Sequence, residues 1–543
     1  MQFNSYSFIF LFLPVTVGIF WLLLHYLGRD HAIGWLLVMS VVFYACVSLK
    51  GLAIVVPSIL IDYGIARCML HQNCSARVRK TLLICGICLN AIFLGYFKYK
   101  NFFLDILNSE FGAHFTLAAL FFPAGISFLV FQKIGFLIDV ESGEIKAVKF
   151  LEFLLFALFF PRTIAGPIVY YREVVPQFSS VSRGNAKSAI ALGLCLFSIG
   201  LFKKTVLADF IGQFVPDVFD TSQSLLSTKP PGMLVSWIAL MAYTFQLYFD
   251  FSGYSDMALG VARMVGIQLP VNFNSPFKAT SIVEFWSRWH ITLTRFLTAY
   301  IYTPIVLYMT RARMGKGEPV LSGGRTKLSA VISLVAFPTL TTMTLSGLWH
   351  GAGWQFIAWG ALHGVYLTVN QSWRLWRRRL FRNELRYEKL MTPIYHALTF
   401  ASVVLALVLF RSSSIAVATG ILTNLLGFNG IIPHILELVE QAGVSISWFM
   451  WLNILPWLTF GWLAALFATV MWLPNSQEYI SRLEAMLGLS TADEIADSKV
   501  VRGDVSFLMR TSSASLVAST SALMCALGVM AIDRGGGFIY GAF

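Results

Sequence analysis

The chain has 543 residues, of which 57% are hydrophobic and only 12% are charged, and its formal net charge is +13. Because about 25% of residues are charged in an ordinary soluble domain, this composition excludes a water-soluble globule and predicts an all-α, polytopic membrane protein. The positive charge does not indicate nucleic-acid binding, since basic residues gather in the cytoplasmic loops of membrane proteins.

Apolar runs long enough to cross a bilayer recur along the chain. They lie near residues 8–28, 32–50, 81–97, 115–138, 149–166, 188–207, 233–251, 328–348, 352–370, 393–411, 448–473 and 512–532, with 51–66 as a further candidate. At about 20 residues per span, they predict roughly 11–13 transmembrane helices in one domain over residues 1–543. The first run is too long and aromatic for a signal peptide, so we interpret it as a retained span.

Residues 252–310 interrupt this pattern. They are rich in aromatic side chains but broken by polar residues and by Gly253 and Pro270. Irregular backbone at membrane depth must be buried or line a cavity, so we expect short tilted or re-entrant helices here. Residues 412–447 predict a loop or a short surface helix, and residues 474–511 predict a solvated connection.

Basic residues cluster at 77–80, 311–327 and 373–389. These clusters indicate the cytoplasmic side of the membrane. The last one mixes Trp, Leu and Arg, as an interfacial amphipathic segment does. A site there for an anionic lipid or a phosphorylated cofactor is a secondary hypothesis.

His350 lies where one apolar run ends and the next begins, in the sequence Trp349-His350-Gly351-Ala352-Gly353. An ionisable side chain is costly in a membrane, so its presence needs a reason. One interpretation is a buried histidine satisfied by a hydrogen bond. The other is a general base that takes a proton from an alcohol, which then attacks an acyl carbon. The glycines would let a substrate approach closely.

His290 allows the same two interpretations. Its neighbours Glu284, Arg288 and Arg295 either orient the imidazole or form a polar helix face. The 60 residues between His290 and His350 exclude a metal pair on one helix, but they allow a shared cavity.

His363, Asp250 and Asp256 also have alternative interpretations, whereas two cysteines have one. His363 follows His350 by 13 residues, and it either lines the same cavity or stabilises helix packing. Asp250 and Asp256 are interpreted as helix caps or cavity-lining groups rather than metal ligands, because a metal would need more oxygen ligands nearby. Cys85 and Cys88 lie in an apolar run and are interpreted as packing residues.

A series of short motifs resembles the membrane-bound O-acyltransferase family, in the branch of the alginate O-acetylase. The motifs are PAGISF (123–128), FPRTIAGPI (160–168), GLFKK (200–204), QLYFDFSGYSDMA (246–258), NFN (272–274), FWSRWH (285–290) and GLWHGA (347–352). They place the motif-bearing core at residues 115–370, followed by C-terminal spans and polar connections at 371–543.

The resemblance implies a ring of tilted helices around a thin centre that is crossed by a tunnel. It makes His350 the catalytic residue and places His290, where relatives have His or Asn, in the same tunnel. The further substrate or tunnel residues that it suggests are His363, Trp289, Trp349, Arg288, Asp250, Asp256, Tyr254, Asn274 and Glu284.

The resemblance also implies the reactants and the location. The donor would be acetyl-CoA, with no permanently bound cofactor, and the acceptor an exported polysaccharide such as alginate or cellulose. An extracytoplasmic hydrolase-like partner would contact the aromatic C-terminus at 538–543, and the protein would lie in the bacterial inner membrane. Ser287 replaces an arginine of relatives, and Thr298-Ala299 replaces Arg-Asp, so these departures bear on the identity of the donor.

Three alternatives stay open. A sibling activity is the transfer of D-alanine to teichoic acid from a carrier protein, although two spans beyond residue 390 favour the polysaccharide branch. A transporter or flippase would not consume acetyl-CoA. A non-catalytic scaffold for secretion would still support acetylation after His350→Ala.

Overall fold

A computed structural model describes residues 1–117, 121–182, 184, 186–213, 215, 219, 232–321, 326–380, 384–428, 430, 460–486, 514–532 and 538. Every regular element in these residues is a helix, which confirms the predicted all-α class. In chain order the helices are α1 (Phe8–Tyr26), α2 (Arg29–Met69), α3 (Ala76–Phe111), α4 (Ile126–Glu141), α5 (Phe150–Leu158), α6 (Tyr171–Ser180), α7 (Ala186–Gly212), α8 (Met233–Met264), α9 (Ile282–Arg288), α10 (Ile291–Leu297), α11 (Thr303–Gly315), α12 (Leu328–His350), α13 (Trp354–Leu380), α14 (Glu384–Arg411), α15 (Ile415–Leu425), α16 (Phe460–Trp472), α17 (Ser476–Met486) and α18 (Ala514–Met530).

Seven of the described helices are long and apolar enough to cross a membrane: α1, α2, α3, α7, α8, α12 and most of α14. Helices α15, α16 and α18 are apolar but shorter. The multi-pass membrane prediction is therefore confirmed. The number of 11–13 spans and the central tunnel stay predictions, and part of the predicted run 448–473 lies outside the described residues.

Several predicted boundaries were wrong for identifiable reasons. The run 149–166 contains only the short helix α5, because Pro161 and Pro167 cannot continue a helix. The irregular backbone that follows is held in the interior, with Phe160 and Arg162 fully buried. The division between the runs 32–50 and 51–66, by contrast, agrees with the structure, because α2 consists of two helical parts that meet at a kink at Ser48, where the backbone is extended (φ −162°, ψ 102°).

The start of the 252–310 region was also predicted wrongly, because α8 continues through it to Met264. Its glycines do not end the helix but lie where α8 closely contacts α7. A Cβ atom on Gly253 would lie 2.8 Å from the carbonyl oxygen of Gly200 on α7, and one on Gly260 would lie 2.6 Å from that of Gly193. Small residues allow such close helix crossings in membranes. From Pro276 onward, a 3-10 turn and α9 agree with the predicted short helices, whereas α10 and α11 form one continuous helix through a π-helical segment at Thr298–Tyr302.

The chain divides into two compact units. Unit 1 comprises Met1–Val206, Phe251–Asn272 and Ser476–Phe543, and unit 2 comprises Leu207–Asp250 and Phe273–Asn475. The prediction of one domain with a motif-bearing core at 115–370 stays a prediction.

A buried polar cluster joins α2, α3 and α4 in unit 1. The Lys133 ammonium lies 2.9 Å from a carboxylate oxygen of Asp62, and the other oxygen accepts a hydrogen bond of 2.9 Å from the amide of Asn90. All three side chains are buried. Burial of a charge is costly unless the charge is paired and hydrogen-bonded, and the three side chains of this cluster provide such partners to one another.

The segment before the last helix is less solvated than predicted. Helix α17 buries Ile480 and Leu483, and its Glu484 pairs with Arg263 of α8. In the preceding region, α15 confirms the predicted short helix, although it buries one apolar face. Residues 431–459 and 487–513 lie outside the described part of the chain.

Candidate active site

His350 is the last residue of α12 and is 4% exposed. The chain turns away at Gly351, where a Cβ atom would lie 2.1 Å from the ring of Phe356. No residue larger than glycine fits this space without displacing that ring. The glycine predicted to aid substrate approach therefore also packs against Phe356.

His290 occupies the junction between α9 and α10 and is fully buried. Its backbone is left-handed, with φ 45° and ψ 51°. Among non-glycine residues, histidine, asparagine and aspartate are enriched in this conformation. Among the described residues only Ser275 shares a positive φ without being glycine.

The two imidazoles lie close together in unit 2, with ring centroids 6.5 Å apart. Trp349 contacts both, at 6.4 Å from His290 and 4.9 Å from His350. The rings of Trp359 and Phe410 also contact the His350 ring edge-on, with ring centroids 5.2 and 5.3 Å away. The two histidines therefore lie close together among aromatic rings, and the predicted cavity that they share stays a prediction.

His363 is buried beside this pair. The Trp359 ring contacts both imidazoles: its centroid is 4.9 Å from that of His363 and 5.2 Å from that of His350. The indole N–H of Trp286 donates to Nδ1 of His363 at 3.3 Å. His363 thus links α9 to α13, which agrees with the helix-packing interpretation, while its place in a cavity stays a prediction.

One face of α12 is polar up to His350. Thr342, Ser346 and His350 are spaced by four residues, so their side chains share that face. Ser346 is fully buried and Thr342 is 6% exposed. Neither hydroxyl has a hydrogen-bond partner among the described residues. Other buried helix hydroxyls, such as that of Ser236, donate to the carbonyl four residues earlier.

Glu284, Arg288 and Asn274 form a separate polar group in unit 2. The carboxylate of Glu284 accepts from Nη2 of Arg288 at 2.7 Å and from the backbone and hydroxyl of Thr280 at 2.8 and 2.9 Å. Burial raises the pKa of Glu284, but the Thr280 and Arg288 donors outweigh it, so that pKa is lowered overall. The side-chain oxygen of Asn274 accepts from Asn475 at 2.8 Å.

Trp289 packs among aromatic rings. Its ring stacks on that of Phe285 at 5.7 Å and contacts Tyr248 and Phe273 at 6.2 and 5.1 Å. It therefore fixes the end of α9, immediately before His290.

The helix-cap interpretation of Asp250 and Asp256 is wrong, because both lie inside the uninterrupted α8. Asp250 is fully buried. Asp256 forms an ion pair of 2.7 Å with Lys203 of α7, and its other oxygen accepts from Gln477 at 3.4 Å. Asp256 thus holds α17 and α7 against α8.

Tyr254 lies in unit 1, where it lines a cavity of about 360 Å³. Its ring stacks on Phe3 at 5.1 Å and meets Phe538 edge-on at 4.7 Å. The ammonium of Lys204 lies 4.9 Å from the centre of the Phe538 ring. The first residue of the predicted partner-binding C-terminus therefore packs on this chain, and 539–543 lie outside the described residues.

Sequence reasoning missed Trp359 and Phe410. Trp359 had a signal, because it precedes His363 by four residues and so shares its helix face. Phe410 had none, since only the packing of α14 brings it to His350. No cluster of three metal-binding side chains occurs in the described ranges.

Comparison with known proteins gives a consistent result. Residues 81–316 match the family model described as MBOAT, membrane-bound O-acyltransferase family. This match includes His290 and ends before His350.

Individual relatives extend the similarity further. The chain is 37% identical to the "Peptidoglycan O-acetyltransferase" of Helicobacter pylori, over 79% of this chain and 81% of that protein. It is 34% identical to the "Probable alginate O-acetylase AlgI" of Pseudomonas aeruginosa, over 77% and 73%. It is 30% identical to the "Teichoic acid D-alanyltransferase" of Streptococcus thermophilus, over 46% and 57%.

Proposed function

Because the chain belongs to the membrane-bound O-acyltransferase family and is therefore an acyltransferase, we propose that it transfers acetyl groups from acetyl-CoA to a polysaccharide. The acceptor is exported or part of the cell wall, and the protein lies in the bacterial inner membrane. Relatives named for peptidoglycan and for alginate acetylation each cover more than 70% of the chain, which supports a polysaccharide acceptor.

The observation that carries this proposal is the pair of buried imidazoles, His290 and His350, with centroids 6.5 Å apart. Imidazole is the side chain best suited to proton transfer near neutral pH. The aromatic rings around His350 exclude bulk water, which protects a thioester from hydrolysis.

In the proposed reaction, a ring nitrogen of His350 takes the proton from an acceptor hydroxyl. The alcohol oxygen forms a bond to the thioester carbon, and the carbonyl electron pair moves onto its oxygen. The carbonyl then re-forms while the C–S bond breaks, and the leaving thiolate takes the proton back from the imidazolium. In this proposal His290 and the Ser346 hydroxyl, one turn before His350, stabilise the oxyanion.

The sibling activity, D-alanyl transfer, has weaker support. The teichoic acid enzymes match only 46–47% of the chain, whereas the acetyltransferases match over three quarters. An extracytoplasmic partner that contacts residues 538–543 and receives the acetyl group is part of the proposal.

The test is transfer of radiolabel from acetyl-CoA to polymer in native membrane vesicles, which contain the protein together with its extracytoplasmic partner. We expect His350→Ala to lower the rate by about 10²–10⁴-fold, the usual worth of a general base. His71→Ala is the matched control, because His71 is exposed. Unchanged transfer by His350→Ala would support a scaffold, and absence of label with the wild-type protein would support a transporter.

A further inference from the structure

A cavity of about 240 Å³ lies in unit 1, between α7, α8 and α17. Leu192 and Leu196 line it from α7, and Leu259 and Arg263 line it from α8. Helix α17 contributes four lining residues from one helix face, since they are spaced at i, i+3, i+4 and i+7. They are Gln477, Ile480, Ser481 and Glu484. Helix α17 therefore covers one side of the cavity.

Two polar contacts hold α17 against α8. The side-chain amide of Gln477 donates to the carboxylate of Asp256 at 3.4 Å, and Glu484 pairs with Arg263. Asp256 and Arg263 are seven residues apart on α8, as are Gln477 and Glu484 on α17, which corresponds to about 10 Å along each helix axis. The α17 side chain of Ser481 lies between these contacts and lines the cavity. The contacts thus fix α17 in place while leaving space beneath it.

The walls of this cavity are apolar on one side and charged on another. Leu192 and Leu196 belong to α7, which is long and apolar enough to cross a membrane. Arg263 and Glu484 are the charged side chains among the described lining residues. They are 22% and 25% exposed, so a ligand can reach them. A ligand that contacts both walls has an apolar chain and a charged head.

The ion pair keeps hydrogen-bonding capacity for such a head. A guanidinium carries N–H donors on every nitrogen, and in Arg263 only Nη2 is bonded to a described side chain. In Glu484 only Oε1 is used in this pair. A phosphate can accept from the guanidinium while an ammonium donates to the carboxylate, and such charge-assisted hydrogen bonds are strong. A cation and an anion side by side therefore favour a zwitterionic head over an anionic one.

The cavity lies at the level of lipid headgroups. Arg263 is in the last turn of α8, which is a candidate membrane span. The indole N–H of Trp21 on α1 donates to the carbonyl of Met264 at 2.9 Å. Tryptophan is enriched at the membrane–water interface, and charged side chains near the ends of spanning helices reach the same layer.

We propose that this cavity binds the head of one phosphatidylethanolamine molecule and the adjoining part of an acyl chain. The phosphate contacts Arg263, the ammonium contacts Glu484, and the chain lies against Leu192 and Leu196. A cavity of this volume is smaller than most sites for drug-sized ligands, so it holds part of the lipid rather than all of it. The lipid site goes beyond the proposed acetyl transfer and does not depend on it.

The experiment measures which lipid the full-length protein retains. The protein is reconstituted in nanodiscs with equal amounts of phosphatidylethanolamine and phosphatidylglycerol, and the lipids that stay bound in detergent are counted by native mass spectrometry. We expect the wild-type protein to retain phosphatidylethanolamine. Leu196→Trp fills the apolar side of the cavity and should abolish this retention. Leu194→Trp is the matched control, because Leu194 is 49% exposed on the same helix and does not line the cavity.

Charge variants separate a binding role of the ion pair from a structural one. Glu484→Gln removes both the partner of the ammonium and the repulsion of an anionic head. We expect it to lower the retained ratio of phosphatidylethanolamine to phosphatidylglycerol about 10-fold, with more phosphatidylglycerol bound than in the wild type. Arg263→Gln should reduce the retention of both lipids, because both carry a phosphate. O-phosphoethanolamine, which has the head without the chains, should not displace the bound lipid.

Four results would contradict the lipid site. The wild-type protein could retain the two lipids equally or prefer phosphatidylglycerol. Leu196→Trp could retain as much phosphatidylethanolamine as Leu194→Trp. Equal losses of both lipids in Glu484→Gln would show that the ion pair only supports α17. Displacement by O-phosphoethanolamine would make the cavity a site for a soluble ligand.

Discussion

At the scale of single residues, the backbone around the two histidines of the candidate site limits which residues can replace them or their neighbours. His290 occupies a left-handed position. Asparagine tolerates that conformation and β-branched residues do not, which gives a physical reason for the His or Asn expected there in relatives. His350 depends on Gly351, because the Phe356 ring fills the space of a side chain.

Ser346 provides a prediction at this scale. Ser346→Ala should lower kcat about 10²-fold if its hydroxyl donates to the oxyanion. It should leave stability unchanged, because it removes a buried hydroxyl that has no hydrogen bond among the described residues. Steady-state kinetics and thermal unfolding in detergent measure the two effects.

Ser236→Ala is the matched control. The hydroxyl of Ser236 is fully buried and donates to the carbonyl of Gly232 at 3.0 Å. Its loss should cost about 1 kcal/mol of stability with full activity retained. An unaffected kcat in Ser346→Ala would remove Ser346 from the proposed mechanism.

Among the secondary-structure elements, the crossing of α12 and α13 matters most, because these helices carry His350 and His363. A Cβ atom on Gly347 would lie 2.2 Å from the carbonyl oxygen of Phe356, and one on Gly360 would lie 2.2 Å from that of Met343. The two helices therefore touch through their backbones, which leaves the histidines little freedom to move.

Gly347→Ala and Gly360→Ala should each force this crossing apart. Overpacking costs about 1–3 kcal/mol, and a misplacement of 1 Å in an active site can cost about 10²-fold in rate. We expect lower melting temperatures together with lower kcat. Gly64→Ala on α2 should change neither, because open space surrounds Gly64. Wild-type activity in both crossing variants would show that the close approach is not required.

For the whole molecule, the distribution of basic residues predicts orientation. The clusters 77–80 and 373–389 should share the cytoplasmic side. Helix α3 has 36 residues and is about 54 Å long, which exceeds the roughly 30 Å apolar thickness of a bilayer. Its two ends should therefore lie on opposite sides.

Single cysteines in a cysteine-free background test this orientation. None of the seven native cysteines forms a disulfide, so their removal breaks no cross-link. We expect Arg77→Cys and Lys389→Cys to react with an impermeant maleimide only from the cytoplasmic face, and Glu110→Cys only from the other face. Labelling of Arg77→Cys and Glu110→Cys from one side would contradict the assignment of α3 as a span.

The sequence by itself determined the membrane class, the helical content and the residues that carry the family motifs. These properties are local: the apolar character of about 20 consecutive residues decides whether a segment enters a bilayer, and a motif is identified from its own residues. His350 and His290 were identifiable because an ionisable residue in an apolar setting is conspicuous without a structure.

Only the tertiary structure decided which residues meet. Gly253 and Asp256 resembled breaks in a helix, yet α8 continues because α7 provides a close crossing and Lys203 provides a counter-charge. Phe410 reaches His350 only through the packing of a helix 60 residues farther along the chain. Hydropathy describes only the preference of each residue for lipid or water. The side chains that pair with a buried polar group come from distant segments of the chain. The sequence therefore only suggested that His290 and His350 lie near each other, and the tertiary structure gives the separation of their rings as 6.5 Å.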